Sequence, residues 1–181
     1  MPGVLVKPPK LWIHYSGIFD YNVMYNAMAK WFKERRYWFQ ETVYKHKPGN
    51  EFGKEEELKW NGNKKITDFY WFDIDVYFHI WDLNLVEVIK DGKKKKMYKA
   101  RAQITIAGSV VMDYQGRWAK TRFVKWLGDL YIKYVLQTEQ LVSYYHDELY
   151  YRMYKLHQVI KDSLNMAAKG HEYKRYMADN Y

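Results

Sequence analysis

The longest regular pattern in the chain is an alternation of apolar and polar positions from Ile66 to Asp82, ITDFYWFDIDVYFHIWD. Period two predicts a long β-strand, because successive side chains of a strand point to opposite faces of the sheet. One predicted face is apolar and suits a packed core, whereas the other mixes aromatic rings with ionisable groups. The first face carries Ile66, Tyr70, Phe72, Ile74, Val76, Phe78 and Ile80, and the second carries Phe69, Trp71, Asp73, Asp75, Tyr77, His79 and Trp81.

The segments before this strand switch between strand and helix patterns. Leu11 to Phe19 predicts a first strand, in which Gly17 indicates a bulge. Asp20 suits a helix N-cap, and apolar residues at helical spacing then predict an amphipathic helix from Tyr21 to Arg36. The pattern returns to a strand from Tyr37 to His46, and an N-terminal arm precedes all of these elements.

Two glycine-containing turns predict hairpins around the long strand. Asn61-Gly62-Asn63 is expected to join it to the preceding strand, since asparagine and glycine tolerate positive φ. Asp91-Gly92 predicts the second hairpin, in which Glu87 faces Lys96 across the pair. The alternation then continues to Asp113.

From Arg117 to Lys169 the pattern is helical, with no proline to interrupt it. It predicts either one helix of roughly 80 Å or two helices joined near Gln137 and Thr138. Such a length exceeds what one small sheet can cover, so the surplus apolar stripe is expected to pack on a folded-back helix or a second copy of the chain. We therefore predict a homo-oligomer formed through the C-terminal helix.

The order of elements predicts an α+β domain in which a curved antiparallel sheet packs against a long C-terminal helix, in β-α-β5-α order. It resembles the START-like, polyketide-cyclase-like helix-grip (SRPBCC) superfamily over most of the chain. LWIHYSGIF is similar to its first strand, Tyr37 to Asp113 to its five-stranded curved sheet, and the segment from Arg117 to its gripping helix. The resemblance implies a cavity between sheet and helix that commonly holds a hydrophobic ligand, but it carries over no site residue.

Length and composition limit the class of protein. The 181 residues suit one domain, expected over residues 1–170, followed by a mobile tail at 171–181. The chain has no cysteine, which excludes disulfides and thiolate metal sites. No apolar run reaches the ~20 residues of a membrane-spanning helix, and the N-terminus lacks a secretory pattern, so we expect a cytoplasmic location.

Positive charge is concentrated at the second predicted hairpin. The net charge is +9, and Lys93, Lys94, Lys95 and Lys96 follow the Asp91-Gly92 turn, with Arg101 further along the strand. A basic hairpin tip can neutralise phosphates, which makes RNA a candidate partner. Lysines at a strand edge also discourage sheet-to-sheet aggregation, and the sequence leaves both interpretations open.

Three ionisable residues share one predicted strand face. Asp73, Asp75 and His79 suit acid/base chemistry or a divalent cation, as in a hydrolase or cyclase. The alternative, which we favour, is a solvated face where the carboxylates pair with cations such as Arg101. The chain contains no phosphate-binding glycine loop, metal-binding His-Glu-x-x-His pair or nucleophile elbow, so we predict no cofactor and no metal.

The same face carries four aromatic rings, those of Phe69, Trp71, Tyr77 and Trp81. Rings with a few polar groups are typical of a ligand pocket, although they also suit a second packing face. The leading hypothesis is a non-catalytic protein that binds a hydrophobic small molecule or lipid in an aromatic-lined cavity between sheet and C-terminal helix. The residues expected to line it are the four rings with Asp73, Asp75 and His79.

Overall fold

The computed structural model describes residues 3–50, 53–90, 93–116, 121–131, 134 and 139–166. It confirms the predicted α+β class, with a C-terminal helix packed on an antiparallel sheet, an arrangement consistent with a helix-grip-like fold. In chain order, the elements are β1 (Gly3–Val6), β2 (Leu11–Phe19), α1 (Tyr21–Glu34), β3 (Trp38–Asn50), β4 (Gly53–Lys65), β5 (Tyr70–Lys90), β6 (Lys93–Met112), α2 (Arg122–Tyr131) and α3 (Glu139–Ser163).

The sheet is antiparallel, with strand order β1-β6-β5-β4-β3 and with β2 also paired to β6. The pairing of β2 runs from Leu11 opposite Ile106 to Phe19 opposite Tyr98, so the bounds predicted for this strand are confirmed. Its register is unbroken, and the predicted bulge at Gly17 is therefore absent. The predicted N-terminal arm begins as the short strand β1, which pairs with the last residues of β6.

The first predicted hairpin is wrong. Strand β4 continues through Asn61, Gly62 and Asn63 to Lys65. Gly62 is needed there for packing and not for a turn, because a Cβ atom would lie 2.4 Å from Cε1 of Phe32 on α1. The reversal comes later, where the backbone N–H of Tyr70 donates to Thr67 Oγ1 at 3.0 Å. The long strand consequently begins at Tyr70, and the described residues between α1 and α2 form four strands where five were predicted.

The second predicted hairpin is confirmed by its register. Glu87 lies opposite Lys96, and Lys90 opposite Lys93, so two residues outside the described ranges connect the strands. Strand β5 passes the predicted end at Asp82 through a register shift between Trp81 and Asn84. Asp82 has φ of 56° at this point. The shift exchanges the two faces of the strand, and Leu83 is consequently buried.

The core lies between the sheet and the helices α1 and α3. Asp20 caps α1 as predicted, because its Oδ1 accepts from the backbone N–H of Val23 at 3.2 Å. Helix α3 approaches β6 closely at Gly108, where a Cβ atom would lie 2.6 Å from Sδ of Met153. The predicted break near Gln137 and the predicted tail at 171–181 lie outside the described residues.

Candidate functional site

The candidate residues of β5 lie on the sheet face that points away from α1 and α3. On the other face, Phe72, Ile74 and Val76 are fully buried. The guanidinium carbon of Arg152, on α3, lies 5.5 Å from the ring centroid of Phe72. The even-numbered face therefore lies under the helices, with α3 at Phe72 and α1 beside Phe78, and the odd-numbered face of β5, from Trp71 to Trp81, is the open face.

Asp73 and Asp75 share an amide partner on the open face. Asn61 Nδ2 donates to Asp73 Oδ1 at 2.7 Å and to Asp75 Oδ1 at 3.1 Å. Lys59 Nζ lies 3.4 Å from Asp75 Oδ1. Burial raises the pKa of Asp73, the Asn61 bond opposes the rise, and the charge of Asp75 adds to it. The cation that pairs with Asp75 is Lys59, and the predicted choice of Arg101 is wrong.

Arg101 and His79 have other partners. Arg101 Nε donates to Asp82 Oδ2 at 2.6 Å. His79 Nε2 lies 2.6 Å from Oε1 of Glu55 on the neighbouring strand. The predicted acid/base trio is therefore split, because Asp73 and Asp75 bond Asn61 whereas His79 bonds Glu55.

Among the described residues, His79 and its neighbours form a group of potential metal ligands. Potential ligand atoms of Glu55, Glu57 and His79 all lie within 4.8 Å of one another. Lys47 Nζ is 3.1 Å from Glu55 and 3.5 Å from Glu57, and so supplies the positive charge that a metal ion would bring. The bonds from His79 and Lys47 lower the pKa of Glu55. Sequence reasoning missed both glutamates because the misplaced hairpin hid the register of β4.

The aromatic candidates of β5 contact other side chains of the same face. Trp81 stacks on His79 with ring centroids 3.9 Å apart, and Trp71 contacts Tyr114 at 5.0 Å. Tyr77 is 37% exposed, whereas Phe69 packs partly against the core. Trp71, Tyr77 and Trp81 thus lie outside the space between the sheet and α3.

A cleft of about 640 Å³ opens on the helix-bearing side of the sheet, beside the first turns of α1. Four tyrosines and three leucines supply most of its walls, together with two glutamates, Lys54, Gly53 and Asn84. We refer to it as the tyrosine cleft. Its tyrosines are Tyr21, Tyr25, Tyr44 and Tyr98, its leucines Leu58, Leu83 and Leu85, and its glutamates Glu41 and Glu56.

Ring contacts hold three of the four tyrosines of the cleft in place. Tyr21 stacks with Tyr25 at 6.2 Å and meets Tyr98 edge-on at 6.0 Å, and Tyr25 packs edge-on against Trp60 at 4.6 Å. Burial raises the pKa of Tyr21, and the nearby charge of Glu56 raises it further. The Tyr21 hydroxyl is protonated at neutral pH, as in any tyrosine, and can donate a hydrogen bond.

Two strand irregularities build this cleft, which explains why the sequence pattern did not predict it. The register shift between Trp81 and Asn84 turns Leu83 and Leu85 towards the helix side. A second shift lies between Glu41 and Val43, just before Tyr44. A period-two pattern assumes an unbroken strand and cannot reveal either shift.

The lysine cluster at the second hairpin is only partly available. Lys94, Lys95 and Lys96 are exposed, and the side chain of Lys93 lies outside the described residues. Lys95 Nζ is 2.6 Å from Oδ2 of Asp20, the N-cap of α1, and this bond lowers the pKa of Asp20. Lys95 thus helps to fix the start of α1.

No protein-family model matches the sequence, and a comparison with curated proteins gave no match. The likeness to helix-grip proteins accordingly rests on the arrangement of elements. Of the helices in the described ranges, none combines the length and the apolar character needed to cross a membrane.

Proposed function

We propose that the protein is a non-catalytic binding protein of the helix-grip (SRPBCC) type whose tyrosine cleft holds a small, mainly apolar molecule. The observation that carries this proposal is the volume of the cleft, about 640 Å³, on the helix-bearing side of the sheet. Ligand sites commonly measure about 300–1,000 Å³ and combine apolar walls with a few polar groups.

The walls of the cleft favour a ligand with an apolar body and a hydrogen-bonding end. Leu58 and Leu83 are buried and offer an aliphatic floor, and the rings of Tyr21 and Tyr98 offer flat contacts. The tyrosine hydroxyls can donate to the ligand, and the carboxylate of Glu56 can accept from it. A hydroxyl or amine at one end of the ligand would match this set.

Substitutions at Leu85 and Ile89, combined with a fluorescent probe, test whether the tyrosine cleft binds a ligand. The fluorescent probe N-phenyl-1-naphthylamine has an apolar body and one N–H donor, and we expect it to bind saturably. Leu85→Arg places a charged chain at the cleft wall and should weaken binding about tenfold or more. Ile89→Arg is the matched control, because Ile89 is 73% exposed on the same strand outside the cleft, whereas Leu85 is 56% exposed.

Native mass spectrometry of the purified protein, with solvent extraction, then identifies any co-purified molecule. The proposal fails if no molecule co-purifies and the probe does not saturate. It also fails if Leu85→Arg and Ile89→Arg bind the probe as the original chain does.

Self-association through the C-terminal region is a separate part of the proposal. Phe123, Trp126, Leu127 and Leu130 lie at helical spacing on α2 and are between 41% and 68% exposed. A second copy would remove this stripe from water. Trp126→Glu should then yield monomers by light scattering, whereas Trp12→Glu, at a residue equally exposed at 57%, should not. A monomeric original chain would contradict it.

A second candidate function is RNA binding, favoured by the exposure of Lys94 and Lys96 at the hairpin. Replacing both with glutamate should weaken RNA binding in a filter assay, and added salt should weaken it steeply. Lys59→Glu, on the open face, is the control. Absent or salt-independent binding would remove this candidate.

A further inference from the structure

Three cationic side chains meet where the end of α1 approaches β4 and α3. Lys64, on β4, donates from Nζ to the backbone oxygen of Arg35 at 2.9 Å. Lys64 also lies directly opposite Phe72 in the sheet, and the guanidinium carbon of Arg152 is 5.5 Å from the Phe72 ring. We call Arg35, Lys64 and Arg152, with their aromatic neighbours, the cationic junction.

Aromatic rings connect the members of the cationic junction. The guanidinium carbon of Arg35 lies 4.9 Å from the centroid of Trp31, and Lys64 Nζ lies 5.6 Å from that of Tyr37. The two rings stack on each other at 5.6 Å. The cations therefore belong to one continuous group of contacts, in which Trp31 and Tyr37 are almost completely buried.

Negative charge in this group is insufficient to balance the cations. Glu148 is buried and accepts a hydrogen bond from Arg152. Glu34 also acts on Arg35, but its side chain is 56% exposed and lies 3.6 Å from Lys30. Burial lowers the pKa of Lys64, and the charge of Arg152 lowers it further. Partly buried cations without a counter-charge are unfavourable, so an excess of two positive charges needs an explanation.

Three N–H groups of the cationic junction also lack an acceptor. Nε1 of Trp31, Nε of Arg35 and Nε of Arg152 are buried and have no hydrogen-bond partner within the part of the chain that the structure describes. Trp31 is only 2% exposed. Buried donors are nearly always bonded, and an orphaned donor often marks the place of a bound ion or water. The hydroxyl of Tyr37 is likewise buried without a hydrogen-bond partner among the described residues, and the three N–H groups require an acceptor.

We propose that the cationic junction binds a phosphate group, either as free phosphate or as the monoester of a small molecule. A phosphate carries about −1.5 to −2 charges at neutral pH, which matches the excess of two, and several strong acceptor oxygens. Guanidinium groups suit its geometry, and a lysine adds a point charge. A single carboxylate would leave one cation uncompensated. This site is distinct from the tyrosine cleft and stands independently of it.

Lys64 and Lys65 form a matched pair for the test. Lys65 is the next residue, is exposed, and pairs with Asp68. Inorganic phosphate should raise the melting temperature above that in chloride at equal ionic strength, and calorimetry should give one site. Lys64→Met should weaken phosphate binding about tenfold or more. Calorimetry measures this loss of binding directly, because Lys64→Met also removes the hydrogen bond to the Arg35 carbonyl oxygen, which changes the melting temperature even without phosphate. Lys65→Met should bind phosphate normally.

Arg35→Met is the second variant and should also lose phosphate binding. Titration with glycerol 3-phosphate distinguishes the two sources, because a monoester that binds as well as phosphate indicates a small-molecule ligand. If chloride raised the melting temperature as much as phosphate does, the proposal would be overturned, because the effect would then be screening of charges by any salt. Equal loss of binding in Lys64→Met and Lys65→Met would overturn it as well.

Discussion

The two faces of β5 carry similar rings, yet within the described part of the chain helices pack on only one of them. Phe72 and Phe78, under the helices, are at most 3% exposed, whereas Tyr77 on the open face is 37% exposed. The difference follows from the groups between the rings. On the covered face, Ile74 and Val76 lie between the rings, whereas on the open face carboxylates lie between them.

The cost of removing charged groups from water explains which face of β5 the helices cover. Burying Asp73 and Asp75 beneath a helix would require a paired cation or several donors for each carboxylate. On the open face, Asn61 donates to both carboxylates and Lys59 pairs with Asp75. Aromatic rings therefore do not by themselves mark a packed or ligand-lined face. The charged residues beside them decide which face stays wet.

The largest expected effect comes from truncating neighbouring rings on the two faces. Phe78→Ala should cost about 3–5 kcal/mol of unfolding free energy, because it removes a buried ring that packs on Trp60 at 5.8 Å. Tyr77→Ala should cost less than about 1 kcal/mol, as at a surface position. Urea denaturation measures both. Similar losses would show that the open face is covered in solution.

Close packing at Gly62 gives the next largest effect. Gly62→Ala forces a methyl group towards Phe32 and should cost about 1–3 kcal/mol. Phe32→Leu should relieve the clash, so the double variant should lose less stability than the two single variants added together. Additive losses would mean that the two residues do not compete for space.

Gly62 also shows how far the sequence predicts the fold. Local signals sufficed for β2, for the capped start of α1, for the two faces of β5 and for the Asp91-Gly92 turn. The Asn-Gly signal at Asn61 failed because Gly62 is required by a helix distant in sequence. The tyrosine cleft depends on two register shifts, and the partners of His79 depend on the true register of β4. Such long-range choices leave no local pattern.

Acid should weaken the helix-covered side through His157. His157 is 7% exposed, burial lowers its pKa, and Lys161 lowers it further. As the pH falls below about 6.5, the unfolded chain gains this proton before the folded chain does, so stability falls. His157→Gln should reduce the loss of unfolding free energy between pH 7.5 and pH 5. This range lies above the one in which carboxylates such as Glu55 titrate. An unchanged slope in chemical denaturation would exclude His157 as the cause.

The smallest expected effect is the ion pair between Lys59 and Asp75 on the open face. Their side chains are 41% and 38% exposed, and Nζ lies 3.4 Å from Oδ1. A double-mutant cycle with Lys59→Met and Asp75→Asn should give a coupling of about 0–1 kcal/mol, because water screens exposed charges. The asparagine keeps an acceptor for Asn61, so the cycle isolates the charge. Coupling should fall further in high salt. A stronger, salt-resistant coupling would mean that this face is withdrawn from water, and desolvation would then no longer explain why the helices took the other side.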